Sequence, residues 1–310
     1  MGVLLDPQFE EGIIALTMFA QERRRIYIRR FIEKTPPPWT SDPILLQYKF
    51  CNVYRELDRV SIWVREHIRE PFAEHPLLWF MLAAARQINW PDTLEELIAD
   101  RKGAWPHNPK QWDYTRLAQI LLDRKARGDT VYTGSYMLTC RWPLSMCGAV
   151  SAERQKSKCW YTAEIVLNSL WIDRAIIEKE LHDTLSRAHA ILLTHQGWGD
   201  FLAAQVVADL KYTRYLKNAP DWWDWAVLGP GSRRGLNRVF GRESIDAAVS
   251  AGEAVDQLSL IRDYLGAYTD LPRLCLQDTQ NVCCEFDKYE RTRLGEGRPR
   301  LKFRGGVIYD

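Results

Sequence analysis

Three groups of residues in this chain have the types and spacing to act on a phosphate-rich partner. Gly197-Trp198-Gly199 stands between two helical-period stretches, 184–193 and 201–210. Glycines at both ends of a turn permit positive φ and close backbone approach, which exposes amides at the second helix's start to an anion such as a DNA phosphate. Taken alone, Gly-x-Gly reads rather as an ordinary αα-hairpin with a glycine C-cap. In the second group, Asn52, Arg55, Arg59 and Trp63 recur beside an apolar stripe of Phe50, Val53, Leu57, Val60 and Val64. One helix face would then carry two arginines and an amide, with Asp58 set between the arginines. Such faces are usually just solvated, but the aromatic flanks and Asp58 also fit a polyanion-binding wall. The third group is Asp278, Asn281, Glu285 and Lys288 at spacings of three, four and three, backed by Val282, Phe286 and Tyr289. On the hairpin's second helix a row of Gln205, Asp209 and Tyr212 adds an acid, although Asp209 equally suits a cap or a pair with Lys211 or Arg214.

The elements that must position these groups read as helices. Apolar residues keep a helical period through 13–32, 44–68, 77–88, 112–122, 161–181 and 185–193. Thr40, Ser41 or Asp42 can cap the second of these, with Pro43 in its first turn. Proline clusters at 36–38 and 106–109, with Pro71, Pro91 and Pro220, mark inter-helix loops. The stretch 130–139 offers a short hairpin or an irregular crossing. No internal repeat or sustained heptad is visible. The expected architecture is mainly α, one compact helical unit of two lobes over 1–310. A helix-hairpin-helix with the turn after it occupies 184–241, and a basic tail, expected to be partly flexible, occupies 292–310.

Composition narrows the partners. The net charge is only +2, yet basic residues cluster at Arg23-Arg24-Arg25, Arg29-Arg30, Arg233-Arg234 and 291–304. The 13 tryptophans suit core packing more than base stacking. No uncharged apolar run reaches the ~18 to 20 residues of a membrane span, and acids precede the apolar run of the first 19 residues, so no export signal is expected. Seven irregularly spaced cysteines indicate reduced thiols in a cytosol. Cys140, Cys147 and Cys159, or Cys275 with Cys283 and Cys284, lack paired Cys-x-x-Cys spacing, and His189 and His195 lack ligand or triad spacing. Neither metal nor cofactor is therefore expected.

The order of features beyond the hairpin resembles the helix-hairpin-helix DNA glycosylase superfamily. Trp225-Ala226-Val227-Leu228-Gly229-Pro230-Gly231 then Arg233-Arg234-Gly235 stands where that superfamily carries an apolar turn with a catalytic aspartate. No carboxylate lies among Leu228-Gly229-Pro230-Gly231, and the lysine of bifunctional members falls on Phe201. The resemblance thus implies a helix-hairpin-helix, DNA-glycosylase-like bilobal fold with its chemistry replaced. An acid relocated to Asp221 or Asp224 would keep base removal open.

Longer blocks are more specific. Trp39-Thr40 with Asp42-Pro43-Ile44-Leu45, the run from Phe50 through Cys51-Asn52-Val53-Tyr54-Arg55-Glu56-Leu57-Asp58 to Arg59, Gly197-x-Gly199 through Gln205 and Asp209, Gly229-Pro230-Gly231, and Cys284-Glu285-Phe286-Asp287-Lys288-Tyr289 together resemble the α-glutamyl/putrescinyl-thymine pyrophosphorylase family. That family includes the helical domain associated with phage 5-hydroxymethyluracil DNA kinases. The resemblance implies thymine hypermodification, in which an amine or amino acid displaces pyrophosphate from pyrophosphorylated 5-hydroxymethyluracil in DNA. Such a step needs an exposed base, donors for pyrophosphate and a group to deprotonate the ammonium. On this reading Arg55, Arg59, Arg233, Arg234, Lys288 and the Gly229 to Gly231 turn hold phosphates. Asp58, Asp209, Glu285 and Asp287 orient or deprotonate the amine, Asn52 and Tyr289 read the base, and Gly197, Trp198 and Gly199 meet the DNA backbone. A Gly-x-x-x-x-Gly-Lys-Ser/Thr run is absent from the sequence, so phosphorylation would fall to a partner kinase. A noncatalytic DNA-recognition module beside such a kinase is a further possibility. The expected setting is the cytoplasm of an infected bacterium, away from membranes.

Overall fold

A computed structural model describes residues 7–134, 138, 140–147 and 150–303. Helices of eight or more residues are α1 (Pro7–Tyr27), α2 (Leu78–Ile88), α3 (Pro91–Ala99), α4 (Tyr114–Ala126), α5 (Leu185–Leu193), α6 (Asp200–Leu210), α7 (Pro230–Val239), α8 (Ala251–Tyr268) and α9 (Leu276–Arg293). The fold is mainly α; the one β pairing among the described residues is an isolated antiparallel bridge of Tyr48 with Lys302. None of the described helices is long and apolar enough to cross a membrane. Of 130–139, residues 135–137 and 139 lie outside the described residues, and the others form no strand. Residues 304–310 of the basic tail and the side chain of Cys147 also lie outside them.

The chain divides into two compact units, Met1–Asp58 with Trp223–Asp310, and Arg59–Trp222. In the first, α1 buries Phe9, Ile13, Leu16 and Phe19 along one stripe, against Leu236 and Val239 of α7 and Phe286 of α9. α8 adds Leu258, Ile261 and Leu265 to the same core. α7 and α9 cross very closely. A Cβ at Gly235 would stand 2.0 Å from the Cys283 carbonyl oxygen, and one at Gly231 would stand 2.7 Å from Cys284 Sγ. Only glycine allows that approach.

In the second unit, every residue of α2 is buried, the polar Arg86 and Gln87 included, as expected of a helix apolar on all sides. α2 packs against α6, and α6 against α5 across the Gly197 turn. Trp79, Trp105, Trp142 and Trp198 are buried in this unit, the packing role their number suggested.

The continuous helix expected over 44–68 does not form. A short helix, Pro43–Gln47, is followed by extended chain, a 3₁₀ turn at Arg55–Leu57, a helix at Arg59–Val64 and a π-helical turn at Arg65–Arg69. Asn52, Arg55, Arg59 and Trp63 therefore do not share one helix face. Asp42 does cap Pro43–Gln47, its Oδ1 accepting the N–H groups of Ile44 and Leu45 at 2.8 and 2.9 Å.

Candidate functional site

The break in the 44–68 helix is held from α9. Glu285 Oε2 accepts the N–H of Cys51 at 2.7 Å, Asp278 Oδ1 accepts that of Arg55 at 3.0 Å, and Asn281 Nδ2 donates to the Asn52 carbonyl at 3.1 Å. At the loop's other end Asp58 folds back, its Oδ1 accepting the N–H of Asn52 at 2.8 Å. The Asn52 side-chain amide donates to Leu57's carbonyl at 2.7 Å. Three carboxylates thus satisfy amides that helical carbonyls would otherwise have taken, which is why an apolar period gives a loop here. From α1, buried Arg23 donates to the carbonyls of Phe50 and Cys51, each at 3.1 Å. Lys288 pairs with Glu285 and sits 4.6 Å from the centre of the Phe50 ring.

This loop gathers four predicted residues, Asn52, Arg55, Asp58 and Glu285, with Lys288 at its edge. Burial pushes the Asp58 carboxyl up to about 6, with the Asn52 N–H and the Arg55 charge pulling the other way. The same burial lowers the Arg23 guanidinium from its ordinary value, against the opposing pull of Glu285. Asp58 is therefore poised to change charge near pH 6, beside the Asn52 amide groups and the Arg55 and Arg23 charges and against that of Glu285. Tyr289 stands apart from this group, its hydroxyl donating to Asp42 Oδ2 at 2.6 Å, and burial raises it far above a tyrosine's usual range.

A second cluster lies where α7 crosses α9. Asp287, 1% exposed, receives Arg234 Nε and Arg238 Nε at 3.0 Å each, and Arg291 Nε lies 3.4 Å away. Arg238 also pairs with Glu296. At the start of α7 the N–H of Gly229 is occupied by Ser232 Oγ at 2.9 Å, and Arg233 reaches Asp246 only at 3.9 Å. Asp287 is thus the buried anchor of an arginine array.

Arg59, Asp209 and the Gly197 hairpin belong to the second unit. α5 is capped by Thr184, and Asp221 accepts the N–H groups of Leu185 and Ser186 at 2.8 and 3.0 Å. Asp221 is therefore engaged as a cap, while Asp224 of the other unit pairs with Arg262. Gly197 has φ +88°, and a Cβ there would meet Val166 Cγ2 at 2.5 Å. Trp198 is buried and donates its Nε1 to the Val166 carbonyl at 3.1 Å. Val166 lies in the π-helical stretch Tyr161–Leu167, whose altered ladder leaves carbonyls to serve outside partners. An open pocket of about 430 Å³ adjoins the turn, lined by Gly197, Trp198, Gly199, Asp200 and Phe201 among others. Asp209 is held in a bidentate pair by Arg86, both contacts within 2.6 Å and both side chains buried. Arg59 is exposed at the first position of its helix.

Two residues central to this geometry, Arg23 and Arg86, are absent from the sequence-derived set. Arg86 could have been found, since a guanidinium inside the apolar run 77–88 demands a buried acid. Arg23 sits in a run of three arginines, and nothing local distinguishes the inward one.

The family model described as "5-hmdU DNA kinase, helical domain" matches residues 11–298. A "5-hmdU DNA kinase" of Bacillus phage SP10 is 24% identical over 288 residues, covering 86% of this chain and 43% of its own length. The chain thus spans less than half of that relative. No solved structure matches.

Proposed function

The chain belongs to the family of the helical domain of 5-hmdU DNA kinases, and from that premise we propose that it elaborates 5-hydroxymethyluracil in DNA by joining an amine to its methylene carbon. The observation that carries this reading is Asp58, a half-buried carboxyl with its pKa pushed up to about 6 in a loop clasped by α9. A general base works best when its pKa lies close to the working pH. In the proposed step Asp58 takes a proton from the incoming ammonium, the freed amine attacks the 5-methylene carbon, and that carbon's bond to the pyrophosphoryl oxygen breaks. Pyrophosphate leaves with the bonding pair. Arg55, Arg233, Arg234 and Lys288 are assigned to the phosphates, and Asn52 to the base edge. Arg59 and the Gly197 turn are assigned to DNA phosphates. Asp209 and Asp287, already engaged by arginines, are assigned a positioning role, as are Glu285, through the Cys51 amide, and Tyr289, through Asp42.

The test is direct. DNA carrying pyrophosphorylated 5-hydroxymethyluracil is incubated with the protein and a mixture of amines and amino acids, digested to nucleosides and analysed by mass spectrometry. An aminated thymidine with stoichiometric pyrophosphate is expected. Free base with abasic sites would instead indicate a glycosylase, and unmodified DNA would overturn the transfer reading.

A second reading is favoured by the phage relative, whose name is that of a kinase and whose length is more than twice the matched part. The chain would then be a noncatalytic module that presents modified sites to a kinase. Tight, salt-sensitive DNA binding with no turnover of any activated substrate would decide for it.

A further inference from the structure

The C-terminal end of α1 and the last described residues meet on one face of the first unit, and cations dominate that face. Residues 22–34 contain six basic residues against two acids, Glu22 and Glu33, with Glu22 3.8 Å from both Arg25 and Arg29, and residues 298–303 contain three against none. Arg23 turns inward to the 50–51 carbonyls, but Arg25, Lys49, Arg300 and Lys302 are exposed.

Backbone bonds bring the segments together. Lys49 N–H donates to the Leu301 carbonyl at 3.0 Å and Phe303 N–H to that of Gln47 at 2.8 Å. The Phe303 ring meets Trp39 edge-on at 6.1 Å, and the Arg30 guanidinium lies over both rings, 5.1 Å from Trp39 and 5.6 Å from Phe303. Arg29 Nη1 ties the Trp39 carbonyl to the same helix end at 2.6 Å. Rings alternate with the charges. Tyr27 and Phe31 stand 5.1 Å apart, Phe31 is 49% exposed, and Arg24 bridges Tyr27 to Tyr54 at 5.3 and 5.4 Å.

A basic track interleaved with half-exposed aromatics matches a single nucleic-acid strand, whose phosphates need cations and whose unstacked bases need flat apolar partners. A duplex keeps its bases stacked on one another and leaves such rings unused. An anionic lipid surface matches the charge but has no planar groups to stack.

We propose that this face binds single-stranded DNA, with Arg25, Arg300 and Lys302 on the phosphodiester backbone and Phe31 with Tyr27 as a stacking platform. The inference rests on DNA being the substrate, and adds a contact in the unit that does not carry the Gly197 hairpin.

Anisotropy of a labelled oligothymidine, titrated over a range of salt, tests it. In the triple variant Arg25→Gln, Arg300→Gln, Lys302→Gln, binding weakens and the slope of log K against log salt falls by about 2, at ~0.7 per neutralised phosphate on single strands. The charge-preserving triple Arg25→Lys, Arg300→Lys, Lys302→Arg keeps the slope, which separates charge loss from misfolding. Phe31→Ala weakens binding by about fivefold or more with the slope unchanged. If the wild type binds DNA and the glutamine triple keeps its slope, this face is excluded while the DNA reading stands. If the wild type binds neither single strand nor duplex, both fall. Loss of binding to phosphatidylglycerol vesicles with an unaltered DNA slope would reassign the face to a membrane and overturn the proposal.

Discussion

Burial lifts the Asp58 carboxyl to about 6, with the Glu285 charge adding to that rise and the Asn52 N–H, Arg55 and Arg23 opposing it. Amine transfer should therefore rise as pH passes upward through about 6. Asp58→Asn keeps an acceptor for the Asn52 amide but no base, and should lower the transfer rate by ~10² to 10⁴ with the pH dependence lost. Pre-steady-state rates from pH 5 to 8 check both. Stability should run the other way. The folded state holds this proton above the pH at which an unfolded aspartate releases it, so stability falls as pH rises from about 4 to about 6. Urea midpoints across that window should drop less in Asp58→Asn than in the wild type. Elsewhere, Arg86→Met should cost about 3 to 5 kcal/mol, since it leaves the Asp209 carboxylate buried without its partner. The double change Arg86→Met, Asp209→Leu should recover much of that loss, and a stability near that of the single variant would count against the pair as its cause.

Elements decide how much of this is legible in the chain. The stripe Asp278, Asn281, Glu285 and Lys288 is readable because it recurs at helical spacing, and α9 places it on one edge. What it grips is not readable, because the amides of Cys51 and Arg55 come from a distant segment whose own apolar period imitates a helix. α8 escapes the periodicity reading for a related reason. Its core residues Leu258, Ile261 and Leu265 are correctly spaced, but exposed Val255 and Leu260 blur the stripe. The Gly197 turn, by contrast, is plain in sequence and stands as expected between α5 and α6, while its anchor at Val166 is not. The α7–α9 crossing makes a sharp prediction at this scale. Gly235→Ala sets a methyl group against the Cys283 carbonyl, so the helices must part, at a cost of about 3 kcal/mol or more. Thermal melts should show that loss, and a melting temperature unchanged within error would refute the close approach.

The whole chain builds one unit from both of its ends and the other from its middle. The middle unit has its own buried helix, its own charge pair and its own hairpin, so residues 59–222 should fold as a separate fragment. Its near-ultraviolet circular dichroism should carry the signature of fixed Trp79, Trp105 and Trp198, with one cooperative urea transition. Non-coincident transitions by different probes would show that it needs its surroundings. The mainly α class follows from helical periods that recur from 13 to 193 and from helical spacing again at 278–289. The boundary at Asp58 and Trp223 does not, because no proline-rich or polar linker marks it and the 44–68 period runs straight across.

The buried pair of Arg86 and Asp209 has a consequence for descent. Truncating either residue alone strands the other's charge in the buried core, a loss that is a large fraction of the margin by which many domains stay folded. Lineages carrying the pair can exchange it for apolar residues only by crossing a valley of poorly folded intermediates or by two changes at once. The pair is therefore expected to be inherited as one character and to persist in descendants long after their surface residues have drifted.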